Sequence, residues 1–199
     1  MKLLIATHNE DKKREYTEIL GDLGLELVTL RDLGIETEVA EVGATFAENA
    51  LLKARAYARE SGLLTLADDS GLEVDALGGE PGIRSARYAG PEASDEERYR
   101  LLLARLEGVP DRERTARFRC AIALVWPKGR EEVVEGTCEG YIAQQPAGEH
   151  GFGYDPVFYV PEYRRTMAEL APEVKNRISH RARAAQKARS ILARALALQ

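Results

Sequence analysis

Near the start of the chain an apolar run, Leu3-Leu4-Ile5, gives way to a polar turn and then to Tyr16, Ile19, Leu20 and Leu23 at i, i+3, i+4 and i+7. Contiguous apolar letters suit a strand buried on both faces, whereas the wider spacing suits one face of a helix. The pattern predicts a strand over residues 2–6, a turn at Thr7-His8-Asn9 and a helix over 10–20. Thr45 and Glu48 stand in capping-box spacing, predicting a helix through about Glu60 that Gly62 ends. Ser94 and Glu97 repeat the device before a helix carrying Leu101, Leu102 and Leu106. In "RFRCAIALVW", Phe118, Cys120, Ile122, Leu124 and Trp126 alternate, predicting one buried strand face, and "PKGR" turns the chain into a partner strand over 133–142. A last helix is predicted from about Ser179 to Leu198. Crossovers and a hairpin in one chain imply a mixed α/β sheet.

Composition narrows this picture. A chain of 199 residues fits one domain over 1–199, with room for two lobes, and 44% apolar with 31% charged residues describes an ordinary water-soluble fold. Cys120 and Cys138 form no CxxC pair, so neither a disulfide framework nor a zinc site is suggested, and reduced thiols fit. The apolar run near the N-terminus is too short for a signal-peptide core, and no stretch reaches the length of a membrane span. A cytoplasmic protein without a membrane partner is expected. Net charge is −5, yet residues 174–199 hold no acid, while Lys175, Arg177, Arg181, Arg183, Lys187, Arg189 and Arg194 all fall there. An acidic protein with one basic segment suits a small polyanion better than a nucleic acid.

Four stretches carry candidate chemistry. In "LLTLADDSGL" an apolar run drives into Asp68, Asp69 and Ser70. Two buried carboxylates are costly without compensation, so they are expected at the strand end, within reach of a cation, backbone N–H groups or water. Alternation along a strand would aim them oppositely, one structural and one toward a cleft. A plain Asp-Ser-Gly turn is the other reading of the same letters. "ATHNEDK" places a strand-to-helix turn, with its unpaired N–H groups, beside Thr7, Asn9 and Lys12, an anion site that lacks the P-loop glycines. An Asn N-cap followed by a solvated helix face is the alternative. "HGFGYDPVF" sets glycines 151 and 153 around Phe152, where a flat ligand could stack; Tyr154, Pro156 and Phe158 read more simply as a turn entering a core strand. In "KNRISHRARA", a solvated basic helix explains Arg183, Lys187, Arg189 and Arg194 better than it explains Ser179-His180-Arg181.

Taken together, "TxNxxK", "TFxENAxxKA", "ADDSGL", "LGGxPGxxSARYAG", "GFGYDPxF" and "SHR" resemble the inosine triphosphate pyrophosphatase family, the non-canonical purine nucleoside triphosphate pyrophosphatases of the RdgB and Ham1 type. The likeness runs from Leu3 to about Ala185. His8 and Asp11 stand where many members carry glycine, which bears on the shape of the phosphate loop. The resemblance implies an elongated mixed sheet flanked by helices, with two lobes and a central nucleotide cleft, assembled as a homodimer. It implies Mg²⁺-dependent hydrolysis of ITP, dITP and XTP between the α and β phosphates, which cleanses the nucleotide pool.

By family position, Glu41 and Asp69 are the magnesium ligands, Asp68 supports the metal shell, and Asp69 is also the general base. Lys12 is catalytic. The substrate-binding set is Thr7, His8, Asn9, Glu10, Asp11, Lys12, Ser70, Phe152, Gly153, Tyr154, Asp155, Lys175, His180 and Arg181, with Phe152 stacking on the base. Glu15 either orients Lys12 or a metal-bound water, or forms a plain i, i+3 surface pair. Donors near His180 and Arg181 would match the C6 oxygen of hypoxanthine or xanthine and find no acceptor on adenine. A Maf-like pyrophosphatase acting on pyrimidine or modified triphosphates is the alternative enzyme, and a nucleotide-binding module without catalysis the alternative class.

Overall fold

A computed structural model describes residues 1–197. Seven strands, β1 (Lys2–Ile5), β2 (Glu26–Thr29), β3 (Leu64–Val74), β4 (Thr115–Val125), β5 (Glu131–Ile142), β6 (Phe158–Val160) and β7 (Arg165–Thr166), form one sheet in the order β2-β1-β3-β4-β5-β6-β7. β1 runs parallel to β2 and β3, while β5–β6 and β6–β7 pair antiparallel, so the sheet is mixed, as the pattern predicts. The flanking α-helices among the described residues are α1 (Glu10–Leu20), α2 (Phe46–Ser61), α3 (Asp95–Arg105), α4 (Pro172–Ile178) and α5 (His180–Ala197). None is long and apolar enough to cross a membrane.

The chain divides into two compact units. The first holds residues 1–69, 120–136 and 180 onward; the second holds 70–119 and 137–179, so β3, β4 and β5 each contribute to both. In the first unit, Leu3, Ile5, Leu64 and Leu66 of the parallel strands pack with Tyr16 and Leu20 of α1 and with Ala184, Ala185, Ala188, Ile191 and Leu192 of α5. The alanine-rich face lets α5 lie close on the sheet: a Cβ at Gly136 would run into the His180 carbonyl and the Ala184 amide. In the second unit, Leu72, Val74, Phe118, Cys138 and Phe158 pack with Leu102 and Leu106.

Helix boundaries follow the predicted caps. Thr45 accepts from the Glu48 amide, although the Glu48 carboxylate turns to the Ala44 N–H instead of closing the reciprocal box. Gly62 ends α2 at φ 68°, a left-handed position that glycine adopts without a Cβ penalty. Ser94 and Glu97 form the full capping box of α3, worth about 1 kcal/mol.

Two expectations need correction, and one helix was not predicted. β3 does not end at Asp68 and Asp69 but runs through them to Val74, because side chains from neighbouring helices, described below, compensate the carboxylates laterally. The second half of β4 is buried on both faces, since Ala121, Ala123 and Val125 are as enclosed as Cys120, Ile122 and Leu124. The last helix begins where the pattern predicts, α5 at His180, while α4, which the pattern did not predict, precedes it with Ser179 extended between the two. The predicted last helix ends at Leu198, which lies outside the described residues.

Candidate active site

In the first unit the side chains of Asp68 and Asp69 meet different helices, as alternation along β3 requires. Asp68 accepts from Lys12 Nζ of α1 at 2.9 Å, and Arg181 Nε of α5 lies 3.7 Å from the same oxygen. Arg181 also donates to Glu15 at 2.6 Å, so Glu15 is a buried partner of α5 and not a surface partner of Lys12. Burial alone would push the Asp68 carboxyl up; the charges of Lys12, Arg181 and Lys53 outweigh it and hold Asp68 well below the usual carboxylate range. Cys120, whose thiol burial pushes up to about 12, and Tyr16 complete this enclosed side.

Asp69 faces α2. Asn49 donates to its Oδ2 at 3.0 Å, while Lys53 Nζ stands 4.0 Å from its Oδ1 and 2.5 Å from Glu41 Oε1. Burial raises the Asp69 carboxyl above its ordinary value and the Glu41 charge adds to the rise, against the pull of Lys53 and the Asn49 hydrogen bond. Glu41 rides on an irregular strap ahead of α2. That strap is tied down where the Gly43 N–H donates to Asn49 Oδ1 at 2.8 Å, and where Tyr57 donates to the Thr37 carbonyl at 2.8 Å.

The turn before α1 is built as a cap. Asn9 Oδ1 accepts from the Lys12 amide, and Thr7 Oγ1 accepts from the Asn9 amide. Glu10 pairs with Lys13, and Asp11 with Arg14, along the solvated face. His8, exposed, reaches the Thr37 carbonyl at 3.4 Å and meets the Tyr57 ring edge-on.

In the second unit the Phe152 run is organised by a buried ion pair. Lys175 donates to Asp155 at 2.6 Å, and the same oxygen accepts from the Phe152 amide at 3.0 Å. The Lys175 ammonium sits 4.6 Å from the centre of the half-buried Phe152 ring, a cation–π contact that fixes the ring. Gly151, at φ 77°, leaves no room for a Cβ against the Asp155 carboxylate. Gly153 donates to Asp95 at 2.6 Å. Tyr154, expected at the substrate, is buried and donates to the Ser85 carbonyl at 2.9 Å. Ser70 is half-buried in β3.

Glu41 and Asp69 offer oxygen donors about one position already taken by a cation, the Lys53 ammonium, and hard Mg²⁺ prefers such donors. Asp68, expected in the metal shell, is turned to Lys12 and Arg181. The described residues hold no cluster of three His, Cys, Asp or Glu side chains placed to grip a metal. The fit to magnesium is therefore that of a two-carboxylate site, which leaves further positions for phosphate oxygens and water.

A model of the Ham1 family matches residues 3–191. The chain belongs to the Ham1 family. A relative from Geobacillus kaustophilus, named dITP/XTP pyrophosphatase, is 55% identical over 94% of this chain and 91% of its own length. One from Bacillus subtilis with the same name is 48% identical over 95% and 96%. The solved Ham1 protein of Coxiella burnetii matches with a TM-score of 0.89 at 43% identity, covering 96% of this chain and 98% of that one.

Against this Ham1 fold, sequence reasoning assigned no role to Asn49 or Lys53. A signal was present. Phe46, Asn49, Ala50, Lys53, Ala54, Tyr57 and Ala58 recur with helical period, and Asn49 and Lys53 are the polar letters in an otherwise apolar or aromatic stripe. A polar residue at such a position needs a partner, and here the partners are Asp69 and Glu41.

Proposed function

We propose that this protein hydrolyses non-canonical purine nucleoside triphosphates, ITP, dITP and XTP, to the monophosphate and pyrophosphate. The observation that carries the reading is the pair of carboxylates, Glu41 and Asp69, converging on one cation beside a second aspartate that is itself saturated by cations. The relatives' name, dITP/XTP pyrophosphatase, supports dITP and XTP among these substrates.

Glu41 and Asp69 would hold Mg²⁺. When bound, the metal neutralises phosphate charge and lowers the pKa of water. Asp69 accepts the proton of the attacking water, and its raised affinity for protons favours that role. Asp68 holds Lys12 oriented beside the N-terminus of α1, where the ammonium and the first amides attract phosphate. Lys53 screens the two carboxylates from each other.

Within the second unit the reading gives the base to the face of Phe152, held by Lys175 and Asp155. Donors that match the C6 carbonyl of hypoxanthine or xanthine are left unmatched by adenine. Each unmatched donor costs about 1 to 3 kcal/mol, roughly a five- to 150-fold preference. The reading includes a cytoplasmic homodimer whose partners are small nucleotides, with neither nucleic acid nor membrane among them.

The test is a panel of triphosphates with Mg²⁺, quantifying monophosphate, pyrophosphate and orthophosphate separately. Pyrophosphate from ITP, dITP and XTP in clear excess over ATP is the expected result. Orthophosphate as the product would sink the assignment of the α–β bond, and faster turnover of dTTP or UTP would move the protein to the Maf-like class.

A further inference from the structure

The amide of Asn49 lies between two halves of the candidate site that are distant in sequence. Asn49 is fully buried on α2, and both ends of its side chain are engaged. Its Oδ1 accepts from the Gly43 N–H at 2.8 Å, and its Nδ2 donates to Asp69 Oδ2 at 3.0 Å. A backbone N–H can only donate, so the oxygen of the amide must face Gly43 and the NH₂ must face the carboxylate. The orientation of the amide is thereby fixed chemically. Gly43 adds a steric lock, because a Cβ there would come within 2.7 Å of Glu48 Cβ and 2.8 Å of Asn49 Oδ1.

With Oδ2 of Asp69 held by the amide, Oδ1 is the oxygen facing Lys53, which in turn holds Glu41. The strap bearing Glu41 and the strand bearing Asp69 are thus joined through one side chain. We infer that Asn49 is a positioning residue: locked by the Gly43 N–H, it presents Oδ1 of Asp69 toward Glu41 and sets the spacing of the two carboxylates. This rests on the functional reading above only for its catalytic consequence. Its direct consequence is divalent-cation affinity. Groups that orient metal ligands typically contribute ~10- to 100-fold to affinity or activity when removed.

The test uses the full chain and Mn²⁺ as a spectroscopic stand-in for Mg²⁺. Binding to wild type, Asn49→Ala, Gly43→Ala and Thr37→Val is followed by electron paramagnetic resonance, alongside kcat and KM for ITP. Asn49→Ala deletes the amide and Gly43→Ala displaces it, so both are expected to weaken Mn²⁺ binding ~10-fold or more and to lower kcat by ~10- to 100-fold, with KM shifting less than about threefold. Thr37→Val removes only the Glu60 hydrogen bond at the far end of the strap and is expected to leave both readouts within about twofold.

Wild-type Mn²⁺ affinity and kcat in a folded Asn49→Ala protein would overturn the inference. So would an equal loss in Thr37→Val, which would trace the effect to slackening of the strap. If Asn49→Ala does not fold, Gly43→Ala decides on the same readouts. A wild type that binds Mn²⁺ but releases no pyrophosphate from ITP would sink the functional reading, while the binding arm still judges Asn49. A wild type that binds no Mn²⁺ would sink both.

Discussion

Asp68 and Asp69 are neighbours on β3, yet they leave the strand on opposite sides and meet opposite company. On one side, α1 and α5 bring Lys12 and Arg181 to Asp68, and its carboxyl is driven down. On the other, α2 brings an amide and one ammonium that Asp69 shares with a second acid, and its carboxyl is driven up. Burial acts in the same direction on both; the balance of nearby charge decides the difference. The first aspartate is a structural anion that keeps cations in place, and the second keeps a carboxylate with spare affinity for a proton or a cation.

The sharpest way to break this comparison is to remove each charge in turn without changing shape. Asp69→Asn is expected to lower kcat for ITP by about 10³- to 10⁴-fold, the upper part of the range for losing a general base, while stability changes by less than about 1 kcal/mol. Steady-state kinetics and urea unfolding on the same preparation check both halves. A variant that keeps more than a tenth of the wild-type rate would remove Asp69 from the chemistry.

Asp68→Asn is expected to do its damage to stability. Breaking a buried ion pair by removing one partner costs about 3 to 5 kcal/mol, because the other charge is stranded. The low end, about 3 kcal/mol, applies, since Arg181 retains Glu15 and Lys12 keeps some contact with solvent. The urea midpoint should fall with the slope unchanged. A loss under about 1 kcal/mol would mean that Asp68 is no more structural than its neighbour.

How far this contrast could be read beforehand depends on what each letter had to reveal. The opposed aspartates followed from strand alternation, and the caps at Asn9, Thr45 and Ser94 followed from short-range hydrogen bonding, which depends on residues three apart. What local spacing could not show is which distant charge meets which. Arg181 and Glu15 are far apart in sequence, and only the packing of α5 against α1 made one bury the other. The same holds for β3: two aspartates look like a strand end until helices on both sides supply partners. Residue types bearing on the second unit were legible, since "GFGYDP" placed Phe152 between glycines. The buried pairing of Lys175 with Asp155 depended on α4, a helix the basic pattern concealed.

The smallest expected effect is also the most specific, because it concerns the sign of a slope. An unperturbed aspartate titrates near ~3.9 in the unfolded chain. For Asp69, raised in the fold, the stabilising contribution is fully present below that value and is lost as pH rises through the folded pKa. For Asp68, depressed in the fold, the contribution is present above ~3.9 and is lost as pH falls through the folded value. Neighbouring residues therefore tilt the pH dependence of stability in opposite directions. Measured by urea unfolding in a metal chelator between roughly pH 7 and 4, wild type should gain stability relative to Asp69→Asn as the solution is acidified. Acids remote from Asp69 titrate alike in both proteins and cancel in the difference, which therefore reports Asp69 together with Glu41, whose charge is coupled to it. A flat difference would mean that the charge of Asp69 is fully matched in the fold, and a reversed one that Lys53 and Asn49 outweigh burial and Glu41, making both faces of β3 sites of stabilised charge.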